Sequence, residues 1–309
     1  MKVTVIHPSE LGESEVTHWR RMQRDTPQLD NPFLSPEFTI AVGRVRRDAR
    51  VAVLTDGGEI VGFLPFEKHP GGVGRPIAGW LSQCQGLVYA PGLEVSAEEL
   101  LRGSGLHVWE FEFLAGHQPW FDGYATVRHE GILMDVGDGY DAYLKRLREK
   151  SPRTIKMALY RERKMGRDIG PVTFEFAVAD PAQLDLLISW KSDQYRRIGR
   201  PDRFAHKWVV ELVKFLHETP GMRAALSMLY ADGVPVAGHF GLYGEHILAG
   251  WFPAYDPRFG KYSPGIVQHL RLAEAAAARG IATLDWGTAT GNSYDYKEAL
   301  GTRTHQVRE

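Results

Sequence analysis

The sequence predicts a mixed α/β chain built as two related halves. Three observations carry this. First, two Asp-Gly turns lie between apolar runs, in VAVLTDGGEIVGFLPF (51–66) and LSMLYADGVPVAGHFGLY (226–243). Asp-Gly supplies the positive φ angles of a tight hairpin turn, so both segments read as β-hairpins. Second, the chain resembles itself. Asp56, Gly57 and Gly62 match Asp232, Gly233 and Gly238 at an offset of 176, and Ala78-Gly79-Trp80 matches Ala249-Gly250-Trp251 at 171. GLHVWEFEFLAG (105–116) matches GIATLDWGTATG (280–291) at 175, pairing Glu110 with Asp285, Phe111 with Trp286 and Gly116 with Gly291. Three matches in one order argue for duplication, and two copies are too few for a solenoid, which needs about three. Third, 309 residues exceed one typical core, and about two units is the expectation.

Each half has one coarse order: helical segments, a hairpin, a further strand, a helix, then a strand. The halves are placed at 1–133 and 171–309, joined by a basic helical linker at 134–170. In the second half Asp180 caps a helix with Pro181 at its first position. Leu184, Leu187, Ile188, Tyr195 and Ile198 form its apolar stripe. The hairpin follows at 223–243 and a third strand at 246–254. The loop YDPRFGKY leads to a helix opened by Ser263-Pro264, rich in alanine and closed at Gly280. IATLDWG is the next strand, and a short helix at 294–300 closes the pattern. In the first half the glycine-rich HPGGVGRP (69–76) reads as a loop. Antiparallel hairpins followed by strand-helix-strand make the class α/β with mixed, mostly antiparallel sheets.

Composition excludes several classes. The chain is 43% hydrophobic and 24% charged, with a formal net charge of −1. This is a globular balance, and it opposes whole-chain binding to a polyanion. A single cysteine, Cys84, permits no intrachain disulfide and fits a reducing, cytoplasmic compartment. Nothing nearby activates it as a nucleophile, so it reads as a buried thiol. The N-terminus lacks the apolar core of a signal peptide, and no apolar run reaches the roughly 18 residues of a membrane span. The histidines show no metal-ligand spacing, so no metal is expected. Charge is uneven: residues 1–133 carry 12 basic and 17 acidic side chains, and 140–168 alone carry 10 and 4. That segment is either a solvated helical face or an anion-binding surface.

Several segments together resemble a known family: NPFLSPEF (31–38), GFLPF (62–66), WKSDQY (190–195), YSPG (262–265) and LDWGTATGNSYDYK (284–297). In this order they are similar to the CelD/BcsL-type acetyltransferases associated with polysaccharide biosynthesis. These are relatives of the FemAB group within the GNAT superfamily. The resemblance implies two tandem GNAT-like domains and acetyl-CoA, or another acyl-CoA, as co-substrate. The family's glycine-rich pyrophosphate loop has no clean copy here. Its positional equivalent is GKYSPG (260–265), which nominates Lys261, Tyr262, Ser263 and Gly265 as cofactor-binding residues. Unpaired N–H groups and the dipole at a helix start attract anions.

The resemblance also assigns chemistry. His239, mid-strand in VAGHFGLY, suits a base that accepts the acceptor's proton; a hydrogen-bonded core histidine is the other reading. Asp285, at the end of LDWG, either orients His239 or repeats a structural acid, as Glu110 in the first half indicates. Lys191 lies on an apolar stripe, so it must snorkel, pair with an acid such as Asp285, or meet a ligand. Trp251, Tyr255, Tyr296 and Lys297 complete the expected substrate-binding set. The expected activity is direct attack on the thioester by an amine or hydroxyl of a sugar, polysaccharide precursor or peptide. Two alternatives stand beside it. One is FemAB-like aminoacyl transfer from charged tRNA, where the basic segment docks tRNA or an acyl carrier protein. The other is a non-catalytic binding subunit in envelope biosynthesis.

Overall fold

The computed structural model describes residues 1–116, 118–288 and 294–308. The chain is mixed α/β, with two mixed sheets flanked by helices. It divides into two units: Met1–Glu130 with residues from Gln306 onward, and Gly131–His305.

The first unit runs β1 (Lys2–Ile6), α1 (Glu13–Asp25), α2 (Pro36–Val45), β2 (Ala49–Asp56), β3 (Glu59–His69), β4 (Val73–Pro76), β5 (Val88–Tyr89), α3 (Ala97–Gly103) and β6 (Val108–Trp109). Its sheet has the order β1-β2-β3-β4-β6, with β5 beside β3. Only β4 and β6 are parallel. The core is aromatic: Trp19 stacks on Phe63 at 4.5 Å, and both are fully buried.

The next elements are β7 (Arg128–Asp135), α4 (Tyr140–Lys150), α5 (Pro152–Asp168), β8 (Val172–Glu175), α6 (Pro181–Arg197), α7 (Lys207–Glu218), β9 (Ala224–Ala231), β10 (Val234–Tyr243), β11 (Ile247–Tyr255), α8 (Pro264–Ala277), β12 (Thr283–Thr288), α9 (Tyr294–Leu300) and β13 (Arg303–Arg308). Their sheet has the order β13-β7-β12-β11-β10-β9-β8. Asp180 caps α6 as expected, its side chain accepting from the Ala182 N–H at 2.9 Å.

The internal repeat is visible as topology. The path β1-β2-β3-β4-β6 recurs as β8-β9-β10-β11-β12, with a helix pair after the first strand and one helix before the last. In each unit the final two strands of this path are parallel. The hairpins agree in finer detail, but one residue away from the expected alignment. The first turn is Gly57-Gly58, because Asp56 still pairs with Glu59; the second is Asp232-Gly233. All four turn residues have positive φ, as a two-residue turn of this hand requires. Each hairpin then carries one bulged residue, Val61 or Val236. Turn and bulge both fall at an offset of 175, which places Leu64 where the second unit has His239. The match of Ala78-Gly79-Trp80 to Ala249-Gly250-Trp251 is not structural: the former begins a 3-10 turn beyond β4, the latter lies within β11. Gly291 lies outside the described residues.

The segment 134–170, expected as a linker, is folded into the second unit. Tyr143, Leu144, Leu147, Ile155, Ala158 and Met165 are all buried in its apolar clusters. Each large aliphatic side chain so buried contributes about 1.5–3 kcal/mol. The basic composition of α4 and α5 belongs to their outer faces.

Candidate functional site

Two neighbouring strands in the second unit pair only briefly. β11 and β12 run parallel through Ile247↔Thr283, Leu248↔Leu284 and Ala249↔Asp285, and then part. The parting coincides with a β-bulge. Phe240 pairs with Phe252 and Gly241 with Gly250, so Trp251 is the extra residue on β11. A bulge bends its strand and increases the local twist.

Aromatic rings fill the opening between the strands. The Trp286 ring lies edge-on to His239 at 5.1 Å and against His269 at 4.3 Å. Two glycines make this possible. A Cβ on Gly250 would come within 2.4 Å of the Trp286 ring, and one on Gly241 within 2.8 Å of the His239 ring.

Beside this cluster lies a cavity of about 250 Å³. Pro253, Ala254 and Tyr255 of β11 form one wall; Ser263, Gly265, Gln268 and His269, at the start of α8, form another. Gln194 and Tyr296 complete it. Ser263 occupies the N-cap position in the left-handed conformation (φ 50°, ψ 52°), and its side chain makes no capping bond. Its Oγ accepts instead from the Arg161 guanidinium of α5. The helix start is therefore not closed by a side chain, and a cation stands beside it. A Cβ on Gly265 would meet only the Tyr255 ring, at 3.7 Å. Packing does not demand glycine there; its absent side chain widens the opening.

His239 does not fill its expected role. It is 1% exposed, does not line the cavity, and neither ring nitrogen has a hydrogen-bond partner among the described residues. Burial holds its pKa well below the ordinary value, with His269 and Lys191 acting in the same direction. Asp285 does not orient it. Its Oδ1 accepts from the Gly287 N–H at 2.8 Å and lies 3.6 Å from His305 Nε2, close enough to raise the His305 pKa. The imidazole that reaches the cavity is His269. Its Nδ1 lies 2.5 Å from the Gly265 carbonyl. Nδ1 must therefore carry the proton, which leaves the lone pair on Nε2. Nε2 has no partner, and burial lowers the pKa to about 4. The ring is thus neutral near pH 7. Gln268, fully buried beside it, donates Nε2 to the Ser227 carbonyl at 3.0 Å.

The remaining expected residues separate into two groups. Tyr255, Tyr296, Ser263 and Gly265 line the cavity. The Tyr296 pKa is raised to about 12 by burial, so its hydroxyl keeps its proton. Lys191 stands just behind the wall, donating to Gln194 Oε1 at 2.9 Å and to the Pro253 carbonyl at 3.0 Å. It does not pair with Asp285. Trp251 packs against the stacked Phe240 and Phe252 and does not line the cavity. Lys297 ties α9 to β12, donating to the carbonyls of Trp286 and Thr288 at 2.7 and 3.1 Å. Lys261 is exposed, 4.9 Å from the Tyr262 ring centre. Tyr262 is 2% exposed and donates to Asp168 at 2.9 Å, which makes it a core residue and not a ligand-binding one. Arg258 is taken by Asp256 through both carboxylate oxygens. Residues 289–293 of the LDWGTATGNSYDYK segment lie outside the described residues.

The first unit lacks the equivalent site. Its α3 has only seven residues, and a reciprocal cap closes its start: Ser96 Oγ accepts from the Glu99 N–H at 3.1 Å, and Glu99 accepts from the Ser96 N–H at 3.0 Å. With Glu98 beside it, that helix start repels anions. The unit holds a larger cavity of about 690 Å³ lined by Met1, Asp56, Glu94, Glu99 and Arg102 among others, away from any comparable strand opening. Asp48, Glu67 and His69 place three metal-capable atoms within 4.8 Å of one another, but Arg46 already bonds both carboxylates at 2.8–3.1 Å. Among the described residues, no helix is long and apolar enough to cross a membrane.

Sequence reasoning missed His269, Gln268, Gln194 and Arg161. The first two had a readable signal: adjacent polar residues inside IVQHLRLAEAAA, one and a half turns into a helix that is otherwise apolar on that face.

Residues 153–298, from α5 to α9, match the family model described as an acetyltransferase (GNAT) domain. No curated protein matches the chain. The fold is similar to that of FemX, at 12% identity, covering 84% of this chain and 87% of that one, with a TM-score of 0.59. It is also similar to a conserved protein of unknown function from Bacteroides thetaiotaomicron VPI-5482, at 9% identity, 97% and 98% coverage and a TM-score of 0.61.

Proposed function

We propose that the second unit transfers an acyl group from acyl-CoA to an amine or hydroxyl of a small molecule, saccharide or peptide, as the resemblance to CelD/BcsL-type enzymes implies. One observation carries the reading: the strands part beside a helix start that no side chain caps, within the segment matching a GNAT domain. The open end of α8, with Arg161 against Ser263, suits a diphosphate. The acyl arm would follow β11 past Pro253–Tyr255 into the cavity.

The acceptor attacks the thioester carbon directly. Lys191 and Lys297 make this region positive, so an acceptor amine binds neutral, having left its proton in solvent. His269 Nε2 accepts a hydrogen bond from the nucleophile and takes its proton as the tetrahedral intermediate forms. The Tyr296 hydroxyl, which keeps its proton to about pH 12, hydrogen-bonds the sulfur as the C–S bond breaks, and the thiolate takes the proton held on His269, so that both side chains return to their starting forms. His239 supports the His269–Trp286 cluster and acts through it, not on substrate.

The test is thermal denaturation with acetyl-CoA, longer acyl-CoAs and free CoA. A saturable rise in midpoint is expected, because a ligand that binds only the folded state stabilises it. No rise at concentrations far above ordinary affinities would reject the reading and favour a non-catalytic role.

One observation favours a second reading, aminoacyl transfer from tRNA. The outer face of α5 is a basic stripe, Arg153, Lys156, Arg163 and Arg167, interleaved with exposed Met157 and Tyr160. Binding of charged tRNA with a steep log-log salt slope would support it; a flat slope would remove it.

A further inference from the structure

We infer that Lys191 is an anion receptor, and that the acceptor of the transfer presents a carboxylate or phosphate group to its ammonium. The word acceptor rests on the acyl-transfer reading; the receptor itself does not.

A lysine ammonium has three N–H groups. Two are taken by Gln194 Oε1 and the Pro253 carbonyl, and both of those residues line the cavity. Both partners are neutral. Among the described residues Lys191 makes no ion pair, and the charges that act on it are all positive: Arg203, Lys297 and Arg200. Asp285, a carboxylate of the same region, is already engaged by His305 and the Gly287 N–H. An ammonium largely removed from water, without a counter-ion and among other cations, is costly to keep. The Tyr195 ring, 5.2 Å away, offsets only part of this. Lys191 stands one hydrogen bond behind Gln194 and Pro253 of the cavity wall, so an anion entering the cavity would supply the counter-charge that this ammonium lacks. A lysine that merely tied α6 to β11 would need its two hydrogen bonds and nothing more.

Trace labelling of the full chain with acetic anhydride, read by mass spectrometry, separates these roles. Lys191 should label as an amine of pKa about 8, and exposed Lys207 serves as the internal reference. Sodium phosphate or sodium acetate, replacing chloride at constant ionic strength, should slow Lys191 labelling at pH 8 by about twofold, the fall in free amine when its pKa rises by about half a unit. Protection by phosphate alone assigns a phosphorylated acceptor, and protection by acetate alone a carboxylate. Unchanged labelling with both anions overturns the receptor. So does full protection by free CoA with no added effect of the small anions, which would give Lys191 to the donor. A chain whose Lys191 is protected by anions but which gains no stability from acetyl-CoA keeps the receptor and loses the transfer reading; the reverse pair of results does the opposite.

Discussion

His269 shows how one side chain is fixed by its tautomer. The bond from Nδ1 to Gly265 leaves Nε2 as an acceptor with no partner among the described residues. His269→Gln should lower kcat/KM by about 10²–10⁴-fold with acetyl-CoA affinity retained, as loss of general base catalysis does. Equal turnover by a folded variant would remove the role from His269. The same burial has a stability consequence. The folded-state pKa of about 4 lies below the unfolded value of 6.5, so the unfolded chain binds the extra proton between them. Stability from neutral His269 is complete above about pH 6.5 and falls by roughly 3 kcal/mol as pH drops toward 4. His239 acts in the same direction and His305, raised by Asp285, in the opposite one. Chemical denaturation from pH 7 to 4 should show a slope that His269→Gln flattens. The sequence exposed His239 because it interrupts a strand of apolar and glycine residues. It did not reveal that both ring nitrogens lack partners, since that depends on the third-dimensional neighbours Trp286 and His269.

At the scale of elements, the two glycine positions of the site predict opposite behaviour. Gly250→Ala forces a methyl against Trp286 and should cost about 1–3 kcal/mol by overpacking, measured as a lower denaturant midpoint. Gly265→Ala meets only ordinary contact. It should leave the midpoint near wild type while weakening acetyl-CoA binding in calorimetry. A loss of stability at 265 with binding intact would mean the helix start is not the donor site. The strands and helices themselves were readable, because Asp-Gly turns, Asp180-Pro181 and Ser263-Pro264 are local signals. Ser263 takes the N-cap position that Ser-Pro predicts, but its left-handed backbone and its bond to Arg161 of α5, about a hundred residues away in sequence, have no local signal. Trp251 was misread for a related reason. A bulge moves its ring onto Phe240 and Phe252, and strand alternation cannot foresee a bulge.

At the scale of the whole chain, the two units share a strand path but differ at the helix before its last strand. Both units keep the strand path, the turn and the bulge, yet of the helices that precede the last strand of that path, α3 is capped by Ser96 and Glu99 and α8 has no side-chain cap. Calorimetric titration should therefore find one acetyl-CoA per chain; two equivalent sites would show that the Ser96–Glu99 cap opens for ligand. The repeat was legible because turn residues survive divergence, whereas its register was not, since Asp56-Gly57 and Gly57-Gly58 serve equally as turn sequences. The extent of the second unit was hidden by surface composition. The basic residues of 140–168 conceal an apolar stripe that the core of that unit claims.

The ring contact between His269 and Trp286 has an optical consequence. Indole emission is quenched by a neighbouring imidazole as that ring gains positive charge. With the ring centres 4.3 Å apart, Trp286 reports the charge on His269 from inside the protein. A ligand that donates a proton to Nε2 should dim this tryptophan, and one that only fills the cavity should not. The chain thus carries its own fluorophore at the place where bond-making would be followed in a stopped-flow trace.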